Sequence, residues 1–205
     1  MRLHIPTTAA LLAAAAAGQS GGEHPQAIFD RAVADFRNGR IADSVKGFDR
    51  VAALVPNYAP QLWQRGIALY YAGSYKECRA QFESHGTVNP NDVENAAWHF
   101  LCVARAESPE KARAALLPVG RDPRIPMRQI YDMFRGGFAP EQLLAAAGGS
   151  PEAQFYAHLY LGLYFEALGK QESAREHINK AASDRYKVGG YMHDVARVHR
   201  QLIDR

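Results

Sequence analysis

Histidine side chains are the groups in this sequence best suited to acid–base chemistry. An imidazole titrates near neutral pH, so it can act as a general base or as a metal ligand. The candidates are five histidines and two carboxylates that could orient them: His99, His158, His177, His193, His199, Glu166 and Asp194. These residues leave open a small-ligand-binding or hydrolytic function that would use the histidines of the C-terminal half.

The spacing of these histidines favours a structural role instead. His193 and Asp194 are adjacent, so they point in different directions on a helix, and His193 and His199 are six residues apart, which places them on different faces. His158 lies in an apolar run with Phe155, where a buried histidine with an internal partner is the simpler interpretation. The sequence contains no HExxH, GxSxG or phosphate-loop motif. We therefore predict a non-enzymatic protein with no cofactor and no metal site.

The two cysteines offer redox chemistry only as a pair. Cys78 and Cys102 are predicted to lie on consecutive helices, where they would be close in space. In an oxidising compartment they could form a disulfide. The alternative is that both are buried thiols that serve as small apolar side chains. Their spacing is not CxxC and predicts no zinc site.

Aromatic and arginine side chains recur at helical spacing in the first half of the chain. Trp63, Ile67, Tyr70 and Tyr71 form one stripe of a helix, beside a second apolar stripe. Aromatic residues and arginine are the types that anchor protein interfaces. The predicted partner-binding residues, with their equivalents in neighbouring repeats, are Phe29, Phe36, Arg37, Trp63, Ile67, Tyr70, Tyr71, Leu101 and Arg105. They would bind a protein or peptide segment, or pack against neighbouring repeats, the C-terminal cap or a second copy of the chain.

The elements that position these residues are helical hairpins that repeat along the chain. A shift of 34 residues brings similar positions into register: Ala32 with Gly66, Gly39 with Gly73, Phe48 with Phe82, and Pro56 with Pro90. Each 34-residue period has a small residue at the helix crossing, a glycine in the turn and a proline at its end. This pattern resembles the tetratricopeptide (TPR) repeat. The pattern predicts an all-α fold, a right-handed α-solenoid of TPR-like hairpins with a C-terminal capping helix.

The predicted boundaries follow from the turns and prolines. They are a signal peptide over 1–17, a flexible leader over 18–24, TPR 1 over 25–58, TPR 2 over 59–92, a degenerate TPR 3 over 93–126, a short hairpin over 127–149, a TPR-like repeat over 150–185 and the capping helix over 186–205. Tyr191, Val195, Val198 and Leu202 form the apolar face of that last helix. It is expected to cover the final hairpin, which has no following repeat.

Charge and the N-terminal segment restrict the location and the partners. Residues 1–17 have a basic start, an apolar core and A-x-A cleavage sites, which predict an exported protein, periplasmic or secreted. The alternative is an alanine-rich tail that follows an overcalled start codon. No apolar run reaches the roughly 20 residues of a membrane span. A net charge of +3 without basic runs argues against nucleic acid as a partner.

The order of motifs resembles the NlpI-type exported TPR lipoproteins over most of residues 25–202. The shared features are RGIALYYAG at Arg65–Gly73, PND at Pro90–Asp92, a helix with Trp98 that lacks the turn glycine, a KAR run at Lys111, a short middle hairpin, and FYAHLYLGLYFEALG at Phe155–Gly169. The resemblance implies a helical adaptor at the inner side of an outer membrane, in that family a dimer that brings a protease to cell-wall hydrolases. The resemblance therefore also allows a homodimer of this chain. This chain departs from the family in having no lipid-carrying cysteine and fewer N-terminal repeats.

Overall fold

The protein is all-helical over residues 24–186 and 190–203, which are the residues that the computed structural model describes. This confirms the predicted all-α class. The predicted signal peptide over 1–17 and residues 18–23 of the predicted leader lie outside the described residues. The α-helices are α1 Pro25–Arg37, α2 Ile41–Leu54, α3 Trp63–Tyr71, α4 Tyr75–Gly86, α5 Val93–Ala106, α6 Pro109–Ala114, α7 Met127–Arg135, α8 Leu143–Ala147, α9 Pro151–Ala167, α10 Gln171–Ala181 and α11 Tyr191–Ile203. Short 3₁₀ helices cover Pro56–Gln61, Pro140–Gln142 and Asp184–Tyr186.

Consecutive helices pack against one another as hairpins, among them α1 with α2, α3 with α4, and α9 with α10. Each of these three hairpins turns at a glycine in the left-handed region, with φ of +71° at Gly39, +77° at Gly73 and +74° at Gly169. A side chain at such a φ is strained, so glycine is the residue that lets the chain reverse within two or three residues. The predicted turn glycines are confirmed.

Small residues allow the two helices of a hairpin to cross closely. A Cβ atom at Gly66 would lie 2.7 Å from a ring carbon of Phe82, and one at Gly162 would lie 2.7 Å from Ile178. In the first hairpin, a Cβ at Gly47 would lie 2.7 Å from that of Ala32. Backbone and side chain therefore meet directly at these crossings, as the aligned small residues predict.

The third hairpin is shortened. Phe100 stands where the other hairpins have a small residue, and its ring packs edge-on to Phe134 of α7 at 5.0 Å between ring centroids. Ser108 caps α6 by accepting the backbone N–H of the third helical residue at 3.3 Å. The helix ends at Ala114, and no helix crosses 115–126. Leu116 and Leu117 continue the apolar periodicity of α6 but belong to the segment after the helix.

Two further connections join separate helices. Cys78 of α4 and Cys102 of α5 form a disulfide, with their Cα atoms 5.9 Å apart. Helix α11 packs on α10 and also on α1, so the last described helix contacts the first. Among the described helices, none is long and apolar enough to cross a membrane.

Candidate functional site

The candidate site is the surface where α11 covers α1 and α3. Three side chains of α1 and α3 contact α11 there, and we call them the aromatic face: Phe36, Trp63 and Tyr71. The Tyr191 ring of α11 stacks on Phe36 at 5.2 Å and meets Trp63 edge-on at 5.2 Å, both measured between ring centroids. The face therefore already holds a helix, through aromatic contacts of the kind that stabilise interfaces.

Polar contacts fix the position of α11 on the aromatic face. Arg37 Nε donates to Asp194 Oδ2 at 2.6 Å, in an ion pair whose arginine side chain is about half exposed. The Tyr71 hydroxyl lies 2.9 Å from His199 Nδ1. Burial raises the pKa of Tyr71 and lowers the pKa of His199, so a neutral phenol faces a neutral imidazole. We assign the phenol as the donor and Nδ1 as the acceptor.

The partly buried carboxylate of Glu166, on α9, connects this surface to α5. The Tyr70 hydroxyl donates to Glu166 Oε2 at 3.4 Å, and Arg105 Nη1 lies 3.7 Å from Glu166 Oε1. His199 Nε2 is 3.7 Å from the same carboxylate. Arg105 also covers the Tyr75 ring at 5.6 Å from its centroid. Glu166 thus has contacts to side chains of three other helices.

The predicted partner-binding residues fall into three groups rather than lining an open groove. Phe36, Arg37, Trp63 and Tyr71 contact α11. A second group is buried in the core: Phe29, Ile67, Tyr70 and Leu101. Arg105 is partly exposed beside Glu166. Packing against neighbouring repeats and the C-terminal cap was one of the two alternatives, and the apolar side of α11 removes these rings from water.

Asp194 was a candidate to orient a histidine. Its carboxylate instead faces α1 and pairs with Arg37. Helix α11, the predicted capping helix, packs on α10 and also on α1. Apolar periodicity located the buried side of this helix and could not reveal a second contact made through a charged residue.

The histidines form separate local contacts. His158 Nδ1 lies 2.9 Å from His177 Nδ1, and burial together with His177 lowers the pKa of His158 to about 4. His99 Nε2 lies 3.3 Å from Glu83, and the His193 ring packs 5.8 Å from that of Phe155. Within the described ranges, no group of three or more His, Cys, Asp or Glu residues could hold a metal ion. The histidines therefore do not converge on one reaction centre.

Arg124 organises a second polar cluster, at the start of α5. Its guanidinium contacts Asp92 and Glu94 at 2.6 Å each and Asp122 at 2.7 Å. The Tyr160 hydroxyl donates to Glu94 at 2.6 Å. Burial and the nearby Asp92 raise the pKa of Glu94 to about 7, since one guanidinium is shared by three carboxylates. The cluster attaches the segment after α6 to α5, beside a cavity of about 370 Å³.

Sequence reasoning missed Tyr191 as an interface residue and Arg124 as the centre of a cluster. The available signal for Tyr191 was its position three residues before an acidic residue on a predicted amphipathic helix. For Arg124 there was none, because two of its three carboxylate partners, Asp92 and Glu94, lie about 30 residues earlier in the chain. No protein-family model matches the chain.

Proposed function

We propose that this protein is a non-catalytic scaffold or adaptor that binds a protein or peptide segment on the aromatic face. In this proposal the hairpins form a right-handed α-solenoid of TPR-like repeats, and α1 and α3 line its concave side. The observation that carries the proposal is that α11 lies on this face as a docked helix. A surface that holds one amphipathic helix by aromatic, ionic and hydrogen-bonding contacts has the chemistry to hold another.

The composition of the aromatic face supports a binding role. Trp63 and Tyr71 are only partly buried, and Arg37 is about half exposed, so all three have area available beyond their contacts with α11. Tryptophan, tyrosine and arginine are the residues that most often dominate binding energy at interfaces. A partner segment would therefore find preformed anchors held by rigid helices.

The electrostatics favour binding over catalysis. Tyr71 would need a lowered pKa to act as a nucleophile, and burial shifts its pKa upward. The histidines of the alternative hydrolytic function lie in separate contacts, and His158 is paired with another histidine instead of a carboxylate. These arrangements stabilise helix packing, which is the role that we assign to them.

We place the adaptor outside the cytoplasm, in the periplasm or as a secreted protein, with envelope or cell-wall processes as its setting. The disulfide between Cys78 and Cys102 supports this location, because disulfides persist in oxidising compartments. The motif order shared with NlpI-type proteins points to the same setting. A homodimer is a further part of the proposal that the resemblance suggests.

Capture of partners tests the proposal. The chain from Gly18 onward is used as bait in an extract of exported proteins, beside a Trp63→Ala/Tyr71→Ala double variant. We expect a partner that the parent chain retains and the double variant loses. The control is Lys46→Ala/Lys76→Ala, which changes exposed positions on α2 and α4. Equal capture by all three proteins, with helical content unchanged, would refute the aromatic face as the binding surface.

A further inference from the structure

We propose that the partner bound by the aromatic face is an amphipathic helix with the side-chain pattern of α11, and that α11 is its internal competitor. The pattern is an aromatic residue, an acidic residue three positions later and a hydrogen-bonding ring eight positions after the first. This inference rests on the proposed function and specifies the class of partner. It is derived from the contacts of Tyr191, Asp194 and His199.

The spacing of contacts along α3 requires a helical ligand. Tyr191 meets Trp63 and His199 meets Tyr71, and in both helices the two positions are eight residues apart. Eight residues of α-helix span about 12 Å, whereas an extended strand covers that length in about four residues. The ligand therefore runs alongside α3 in the same direction, and its anchors match those of the face only when it is helical.

Charge selects an acidic residue at the second position of the pattern. Arg37 binds Asp194 through a 2.6 Å contact, and the pair remains open to solvent on the arginine side. A cleft of about 640 Å³ adjoins this pair, and its charged lining residues outside α11 are Arg37 and Asp184. Arg197 and Arg200 also line it, but they belong to α11 and would leave with that helix. A basic residue at the Asp194 position of a ligand would face the Arg37 guanidinium and be repelled by it.

Imperfect hydrogen bonding makes α11 replaceable. Three buried polar atoms of α11 lack a hydrogen-bond partner among the described residues: the Tyr191 hydroxyl, His193 Nε2 and His199 Nε2. Each such atom weakens docking, because it has lost water and gained no partner. A ligand with phenylalanine at the first position would keep both ring contacts of Tyr191 without an unpaired hydroxyl. Such a ligand should bind more tightly than the α11 sequence itself.

A synthetic peptide of residues 190–203 with Tyr191→Phe tests this directly against the full-length chain. Hydrogen exchange measured by mass spectrometry follows α11, and the substitution distinguishes the peptide by mass. We expect excess peptide to raise the exchange of chain residues 191–203 while the exchange of α9 and α10 stays unchanged. The unsubstituted peptide should need a concentration about 5-fold higher for the same effect. Unchanged exchange of α11 at millimolar peptide would overturn competition between the two helices.

A charge exchange tests the pattern. In a full-length release variant, Tyr191→Ala and Val195→Asp weaken the attached helix, and a fluorescent copy of the peptide should then bind at least 10-fold more tightly than to the parent chain. Asp194→Arg in the peptide should reduce affinity about 10-fold, and Arg37→Asp in the release variant should restore it. A peptide with Gln201→Ala is the control, because Gln201 is exposed and is not a position of the pattern. If the release variant loses its helical circular dichroism, the exchange experiment on the parent chain decides.

The outcomes separate this inference from the proposed function. A folded release variant that does not bind the peptide would overturn the helical partner, whereas loss of capture through Trp63→Ala/Tyr71→Ala would still support a binding face. Light scattering at twice the monomer mass for the parent chain, and at the monomer mass for the release variant, would mean that a second copy supplies the helix, which also overturns a foreign partner. Restored binding in the charge exchange supports the inference.

Discussion

Substitution of Tyr191 by phenylalanine and by alanine should change stability in opposite directions. The Tyr191 ring contacts Phe36 and Trp63, each at 5.2 Å between centroids, while its hydroxyl is buried without a hydrogen-bond partner among the described residues. Tyr191→Phe keeps both ring contacts and removes the unpaired hydroxyl. Tyr191→Ala removes the hydroxyl together with both ring contacts.

The magnitudes follow from these contacts. An unpaired buried hydroxyl costs about 1–3 kcal/mol, so Tyr191→Phe should stabilise the protein by about 1 kcal/mol. Two aromatic pairs contribute about 0.5–1.5 kcal/mol each, and burial of the partly covered ring adds about 2 kcal/mol. After subtraction of about 1 kcal/mol for the relieved hydroxyl, Tyr191→Ala should destabilise the protein by about 2–4 kcal/mol. For a chain of this size, 1 kcal/mol corresponds to a Tm shift of about 2–4 °C.

Urea unfolding followed by circular dichroism measures both changes, and hydrogen exchange of residues 191–203 locates them in α11. Exchange there should slow in Tyr191→Phe and accelerate in Tyr191→Ala. Equal destabilisation by the two variants would show that the hydroxyl makes a favourable hydrogen bond. Unchanged exchange in Tyr191→Ala would refute the docking of α11 through this ring.

Three further predictions concern the hairpins, the Arg124 cluster and the disulfide. Gly66→Ala should destabilise the protein by about 1–3 kcal/mol in urea unfolding, because the added Cβ would lie 2.7 Å from the Phe82 ring, and Phe82→Leu in the same chain should recover part of the loss. Burial raises the pKa of Glu94 from 4.5 to about 7, so the folded chain holds this proton more tightly than the unfolded chain. The contribution of this proton to stability is complete below pH 4.5 and is lost as the pH rises through 7. Glu94→Gln should therefore flatten the profile of unfolding free energy against pH between these values. An unchanged slope would contradict the raised pKa of Glu94. Reduction of the Cys78–Cys102 disulfide should lower the free energy of unfolding by about 3 kcal/mol, because the bridge closes a loop between residues that are 24 positions apart. Thermal unfolding with and without reductant measures this change. An unchanged Tm would show that the bridge does not form.

Local features of the hairpins were predictable because they depend on residues close in sequence. Gly39 and Gly73 adopt positive φ, and each lies at the turn that the 34-residue period predicted. Ser108 begins α6 as expected, because a cap needs only the backbone of the next turn. The end of α6 was not predictable from its apolar residues, since Leu116 and Leu117 continue the pattern after the helix has stopped.

The candidate site was predictable only in part. The stripe with Trp63 and Tyr71 lies on one helix, as predicted, whereas its packing against the C-terminal helix was only one of several alternatives that the sequence left open. Periodicity shows that a helix face is apolar, and it does not show which element covers that face. Asp194 illustrates the limit, since a charged residue carries no sign of an arginine partner 157 residues away.

The sequence by itself determined that this chain is helical, where its hairpins turn and which residues let their helices cross, because spacing, glycine and capping act over a few residues. Only the tertiary structure decided that α11 returns to α1 and α3, that Tyr191 lies between Phe36 and Trp63, and that Arg124 gathers three carboxylates. These contacts join distant parts of the chain, and their free energy depends on the relative placement of whole helices, which the local pattern does not contain.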